Sequence, residues 1–157
     1  MLNPHAFLLA TKLSNKKVIP VLVKTVDYVL YFDGCSKGNP GPAGAGAVLY
    51  EKDKEVWAGR LFVGEKETNN IAEYASLVLG LNEASNKGCK ELLVRGDSLL
   101  VINQMKGTYK VSSDSLRILY NRAKVLEKQF TKIEYEHIPR EKNSRADQLA
   151  NEGIIII

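Results

Sequence analysis

Four acids stand in four well-separated segments of this 157-residue chain: Asp33, Glu73, Asp97 and Asp147. Brought together, their carboxylates would repel one another and lose hydration, so they would persist only with cations between them. An all-oxygen ligand set selects hard divalent ions. Each acid also has a plainer reading. Asp33 precedes Gly34 and suits a turn, Asp97 precedes Ser98 and suits a helix cap, and Glu73 and Asp147 suit solvated helix positions. Taken one at a time, the residues leave both readings open. His137 and Arg140, a few residues before Asp147, add a titratable ring and a fixed positive charge near one of the acids.

What would bring such distant acids together is a sheet. From Val26, a β-branched and aromatic run leads to Asp33, apolar on both faces as a central strand requires. The loop Gly38-Asn39-Pro40-Gly41-Pro42 follows, then two strands over 45–50 and 56–63 joined by a charged turn. Connections this short make an antiparallel meander. Thr68, Asn69 and Asn70 offer capping side chains to a helix in which Ile71, Tyr74, Ala75, Val78, Leu81 and Ala84 recur at helical spacing, until Gly88. A short buried strand at 92–94, helices at 98–105 and 113–130, a strand at 133–138 and a helix at 144–151 complete the order βββαβααβα. Strands separated by helices run parallel. The expected fold is therefore α/β, a mixed five-stranded sheet in which a three-stranded antiparallel meander adjoins parallel strands, flanked by helices. Ligand sites in open α/β sheets form outside the carboxyl ends of the parallel strands, where Asp33 and Asp97 fall and which the helix carrying Asp147 follows. Glu73 joins them if its helix packs across the first of these strands.

Composition narrows the class without naming a function. The length suits one globular domain, and no apolar run approaches the length that spans a bilayer, so no membrane partner is expected. Cys35 and Cys89 show neither a CxxC pair nor zinc-site spacing, which favours a reducing, cytoplasmic compartment. The net charge of +4 resides entirely in the first 26 residues, where Lys12, Lys16, Lys17 and Lys24 occur without an acid; the rest of the chain is formally neutral. Residues 1–25 read as a basic arm, with an organelle transit segment as the alternative. Residues 26–153 read as one globular domain and 154–157, four consecutive isoleucines, as a tail that docks on the domain as a short edge strand near residues 18–23.

Five segments, in order, resemble the type 1 ribonuclease H family: YFDGCSKGNPGPAGAGAVL, TNNIAEYASLVLGL, RGDSLLVINQMKG, HIPREKN and SRADQLAN. The likeness extends over residues 26–153 and implies that they form the catalytic domain. It implies the ribonuclease H-like fold and assigns the metal-binding, catalytic carboxylates to Asp33, Glu73, Asp97 and Asp147. It implies an endonuclease that hydrolyses the RNA strand of an RNA/DNA hybrid, leaving 5′-phosphate and 3′-hydroxyl ends. The implied cofactor is a pair of Mg2+ ions about 4 Å apart, with Mn2+ as a substitute. The metals generate the nucleophile, so neither Cys35 nor Cys89 needs a catalytic role. Gly34, Ser36, Asn39, Asn69 and Asn70 match positions that read the minor groove, where the 2′-hydroxyl distinguishes RNA from DNA. Thr68 matches a residue that seats a phosphate of the DNA strand. His137 and Arg140 share the accessory role that a mobile histidine plays in many bacterial members.

The chain also departs from the family pattern. The lysine-rich helical handle of some members is missing between the third acid and the last strand, as in archaeal, plant and some bacterial proteins. Grip on the hybrid then falls to Lys37, Lys106, Lys110 and the arm, and weakens as salt rises. Leu99 stands where a polar side chain often touches RNA. Two competing readings follow: an inactive relative that only binds hybrid or duplex RNA, and a reverse-transcriptase-associated domain cut from a polyprotein. Intact acids argue against the first, and the initial Met and the arm favour a free-standing monomer over the second.

Overall fold

A computed structural model of the chain describes residues 27–155 and, by their backbone, residues 7–14 and 17–23. The element order is β1 (Phe7–Ser14), β2 (Lys17–Val23), β3 (Tyr28–Ser36), β4 (Gly41–Glu51), β5 (Lys54–Glu67), α1 (Asn69–Asn86), β6 (Glu91–Gly96), α2 (Leu99–Lys106), α3 (Asp114–Glu127), β7 (Lys132–His137) and α4 (Ser144–Ile154), with a 3-10 turn at Arg140–Lys142 before α4. Strands β5-β4-β3-β6-β7 form one sheet. The pairs β3/β4 and β4/β5 are antiparallel, whereas β3/β6 and β6/β7 are parallel. This is the mixed sheet expected from the order of elements.

Within the segment read as an arm, β1 and β2 pair antiparallel as a separate two-stranded sheet. The alternation that a solvent-facing hairpin usually shows is weak there, which is why the sequence reads as irregular. The other residues of the arm lie outside the described residues. The tail also differs from expectation: Ile154 is the last residue of α4, and Ile155, at its cap, is exposed. Helical hydrogen bonding that starts at Ser144 simply continues through the first isoleucine. Ile156 and Ile157, and with them any docking near residues 18–23, fall outside the described residues.

The two faces of the sheet are packed by different means. On one, α1, α2 and α3 bury large side chains, among them Leu30, Phe32, Leu49, Tyr74, Leu77, Leu81 and Ile102. Each such burial contributes about 1.5–3 kcal/mol. On the other face α4 crosses β4 at backbone distance: a Cβ on Gly46 would lie 2.5 Å from the Ala150 nitrogen and 2.6 Å from the Ala146 oxygen. Small residues set that close approach, with the buried Leu149 packed beside them. Between Lys106 and Asp114 the chain forms no helix, consistent with the missing handle.

A candidate carboxylate metal centre

The four acids arrive on four elements. Asp33 lies inside β3, opposite Gly46, so it is a strand residue and not part of a turn. Pairing of Asp33–Ser36 with β4 carries the strand three residues beyond the expected end. Asp97 follows β6, and Ser98 caps α2, its Oγ accepting from the Val101 amide at 3.3 Å. Asp97 is thereby released from the capping role. Glu73 sits near the start of α1, whose N-cap is Thr68 with Oγ1 accepting from the Ile71 amide at 3.2 Å. Asp147 lies in the first turn of α4.

Glu73 reaches Asp33 because α1 presses directly on β3 at a glycine. A Cβ on Gly34 would lie 2.1 Å from the Ala72 carbonyl carbon and 2.3 Å from the Glu73 nitrogen, distances that no side chain tolerates. Ligand atoms of Asp33, Glu73 and Asp97 consequently lie within 4.8 Å of one another. Asp147 is not in this tight trio but lines the same cavity, of about 600 Å³, beside all three.

Burial dominates the electrostatics. It pushes Asp33 up to about 7, a hydrogen bond with Glu73 opposing and the charges of Asp97 and Asp147 adding to the shift. Glu73 is raised well above the carboxylate range by burial and then by Asp33, with the Gly34 amide pulling the other way. Asp97 is raised by burial against the attraction of Arg140. In addition, Oε2 of Glu73 is buried with no hydrogen-bond partner. An orphaned carboxylate oxygen costs stability unless a proton or cation meets it. Three converging carboxylates with one oxygen unmet are the donor set that a hard divalent cation fits.

Around the acids, Asn69 joins two segments: its Oδ1 accepts from the Ser36 amide at 2.7 Å, and its own amide donates to Asn39 Oδ1 at 2.9 Å. Ser36 Oγ donates to the Glu67 carbonyl at 2.6 Å. Thr68, not the Asn pair, caps the helix, so both asparagine side chains are spared that task; Asn70 is exposed. Gly34, Ser36 and Asn69 line the cavity, while Asn39, Thr68 and Asn70 stand beyond its lining. His137 ends β7 with Nε2 3.2 Å from the Asp97 carbonyl oxygen, and Arg140 lies in the 3-10 turn; both line the cavity and both are exposed.

Three residues near the acids escape a reading of the sequence. Cys35 lines the cavity. Asn151 donates from Nδ2 to the Asp147 carbonyl at 2.9 Å, and its four-residue spacing on a helix was the available signal. Asn143 is buried and donates from Nδ2 to the Phe32 carbonyl at 2.9 Å. Nothing local in the sequence announces that contact.

Fold and carboxylate cluster together define a reverse transcriptase-like domain, and the family model of that description matches residues 31–153. A bifunctional protein of Mycobacterium tuberculosis is 45% identical over 127 residues, which cover 80% of this chain and 35% of that protein. The chain thus spans about a third of the length of that relative. The solved structure of its N-terminal RNase H domain superposes with a TM-score of 0.80 at 43% identity, covering 83% of this chain and 95% of that one. Ribonuclease H of Pseudomonas fluorescens is 35% identical over 147 residues, 83% of this chain and 93% of the relative. LC11-RNase H1, solved in complex with an RNA/DNA hybrid, has a TM-score of 0.76 at 36% identity, with 82% of this chain and 96% of that one covered. The chain belongs to the type 1 ribonuclease H family.

Proposed function

We propose that the protein is an endonuclease that hydrolyses the RNA strand of RNA/DNA hybrids, leaving 5′-phosphate and 3′-hydroxyl ends. Family membership supports this reading, and so does the RNA/DNA hybrid bound by LC11-RNase H1. The observation that carries it is the convergence of Asp33, Glu73 and Asp97 with Glu73 Oε2 buried and unmet. A protein that only bound hybrid would gain nothing from such mutual repulsion.

Asp33, Glu73, Asp97 and Asp147 would hold two Mg2+ ions, with Mn2+ able to replace them. Bound there, the ions supply a lowered pKa for the attacking water and charge stabilisation at the leaving oxygen. The chain's own groups do the rest. Asp33 and Glu73 are held rigid by β3 and by the contact at Gly34, so the ligand set is organised before substrate arrives. Ser36, Asn39 and Asn69 fix each other's positions and present the rim that meets the minor groove, with the Gly34 amide and Asn70 alongside. Thr68, although it caps α1, keeps a hydroxyl hydrogen to donate to a phosphate of the DNA strand. His137 and Arg140 face the departing product from the side of Asp97.

No helix among the described residues is long and apolar enough to cross a membrane. We read the protein as a cytoplasmic monomer in which Lys37, Lys106 and Lys110 contribute phosphate contacts. The test is cleavage of a labelled RNA/DNA hybrid with Mg2+ or Mn2+, set against single-stranded RNA, duplex RNA and the Asp97→Asn variant. Hybrid-specific cutting that the variant lacks is expected; equal cutting of single-stranded RNA, or a fully active variant, would overturn the assignment.

A further inference from the structure

Asp147 differs from the other three acids in how it is held. Asp33 and Asp97 belong to paired strands β3 and β6 or their immediate end, and Glu73 is pressed against β3 at Gly34. Asp147 comes on α4, which rests on β4 through Gly44 and Gly46 against Ala146 and Ala150. Contacts between small surfaces set how closely a helix approaches a sheet, and Leu149 packs beside them at Gly46 while the Arg145–Glu55 and Arg60–Glu152 ion pairs, at 2.9 and 2.7 Å, tie α4 to β5 at the surface. The N-terminal end of α4 has a further contact, which is buried and directional.

Asn143 makes this contact. It is 1% exposed and occupies the N-cap position of α4, yet its side chain makes no capping bond. Instead Nδ2 reaches across to the Phe32 carbonyl at 2.9 Å, a partner 111 positions away in the chain. Phe32 is the last β3 residue in the parallel ladder with β6 and the residue immediately before Asp33. The main chain of Asn143 works in the other direction: its carbonyl accepts from the Asp147 amide at 3.0 Å. One residue therefore grips the strand next to the first acid and the helix turn that carries the fourth. It does this with Oδ1 buried and unpartnered, so the side chain is in place despite an unmet acceptor.

We propose that Asn143 is a positioning residue that sets Asp147 against the Asp33–Glu73–Asp97 trio and thereby tunes affinity for the divalent cation. The inference rests on the metal-dependent reading of the site given above. It separates Asn143 from substrate contacts: loss of the tether weakens metal binding and lowers kcat at limiting metal, and leaves KM for the hybrid unchanged. Groups that orient metal ligands without touching the metal typically alter affinity or activity by about 10- to 100-fold.

The experiment titrates Mn2+ calorimetrically into the metal-free full chain, for wild type, Asn143→Ala and Leu116→Ala, followed by hybrid cleavage across Mn2+ concentrations. Leu116 is a buried α3 residue in the opposite core, so its variant reproduces a loss of stability without touching the tether. Asn143→Ala is expected to bind Mn2+ about 10- to 100-fold more weakly, with cleavage recovering at high Mn2+ and KM unchanged. Leu116→Ala is expected to bind as wild type does. Should Asn143→Ala not fold, Asn143→Ser, whose hydroxyl is too short to reach Phe32, gives the same readout. Unaltered Mn2+ affinity in the Asn143 variant, or an equal loss in Leu116→Ala, would overturn the positioning role alone. A wild type that neither takes up Mn2+ nor cuts hybrid would overturn this role and the proposed function together.

Discussion

The floor and the rim of the cavity are built on opposite physical terms. On the floor, Asp33 and Glu73 are 5% and 8% exposed and sit on a central strand and a helix locked to it at Gly34. At the rim, His137, Arg140, Lys37 and Asn69 are exposed on a strand end, a 3-10 turn, a loop and the first residue of α1 respectively. Burial raises both floor acids, so without a cation the floor works against folding. The rim carries charge that water already screens. Function and stability therefore conflict at the floor and scarcely touch at the rim.

The largest expected effect exploits that conflict directly. Asp33→Asn should lower hybrid cleavage on the order of 10³-fold or more, the scale on which loss of a group acting at the reacting centre is felt. The same substitution should raise the melting temperature of the metal-free protein at pH 8, because it removes a buried charge that lacks a counter-ion. Activity assays and thermal melts on one preparation check both. A variant that lost activity and stability together would show the floor to be an ordinary packed core.

Next in size is the contact that creates the floor. Gly34→Ala places a methyl group where the Ala72 and Glu73 backbone stands, so α1 must lift from β3. Overpacking of this kind costs about 1–3 kcal/mol, roughly 2–4 °C of melting temperature per kcal/mol in a domain of this size. Here the methyl meets backbone on a packed helix, so the upper end is expected. Mn2+ affinity should fall with it, since Glu73 moves away from Asp33.

These two sites also show how much could be read from residue order. Asp33 and Asp97 directly follow the last pair of the β3/β6 parallel ladder, and apolar, β-branched runs mark those strands plainly, so their approach was legible. The motif words supplied Glu73 and Asp147. That Gly34 lies beneath α1 was not legible, because a glycine after an acid reads equally well as a turn. Asn143 was hidden for a different reason: its partner is a main-chain carbonyl far away in sequence, and a backbone oxygen leaves no residue type to recognise. The isoleucines at the carboxyl end misled because a run of β-branched residues suggests a strand, whereas at Ile154 an established helix continues into the run.

A smaller effect sharpens the floor's electrostatics. In the folded chain Asp33 is raised from 3.8 to about 7 by burial above all. A raised acid means that the folded state holds a proton the unfolded state has released, so the metal-free protein loses stability as pH rises through that window. The penalty is absent below the lower value and complete above the upper one. Melts of metal-free protein should therefore favour pH 5 over pH 8, after subtraction of the same difference measured in Asp33→Asn. Saturating Mg2+ should abolish the residual difference, because a cation replaces the proton.

The smallest effect belongs to the rim, and it separates His137 from Arg140. Arg140 holds Asp97 down against burial, and His137 acts on Asp97 in the same sense but less strongly. Exposed charge pairs are worth at most about 1 kcal/mol, so Arg140→Ala should cost no more than about fivefold in cleavage at pH 8. Its signature is in pH. With the guanidinium gone, Asp97 protonates more readily, a proton competes with the cation, and the acidic limb of the pH–rate profile moves to higher pH. His137→Ala should move that limb less. A loss of about 100-fold or more in His137→Ala at pH 8, with the limb unmoved, would instead make His137 a proton donor to the departing product. In that case the rim would carry chemistry of its own, and the division of labour between floor and rim would have to be redrawn.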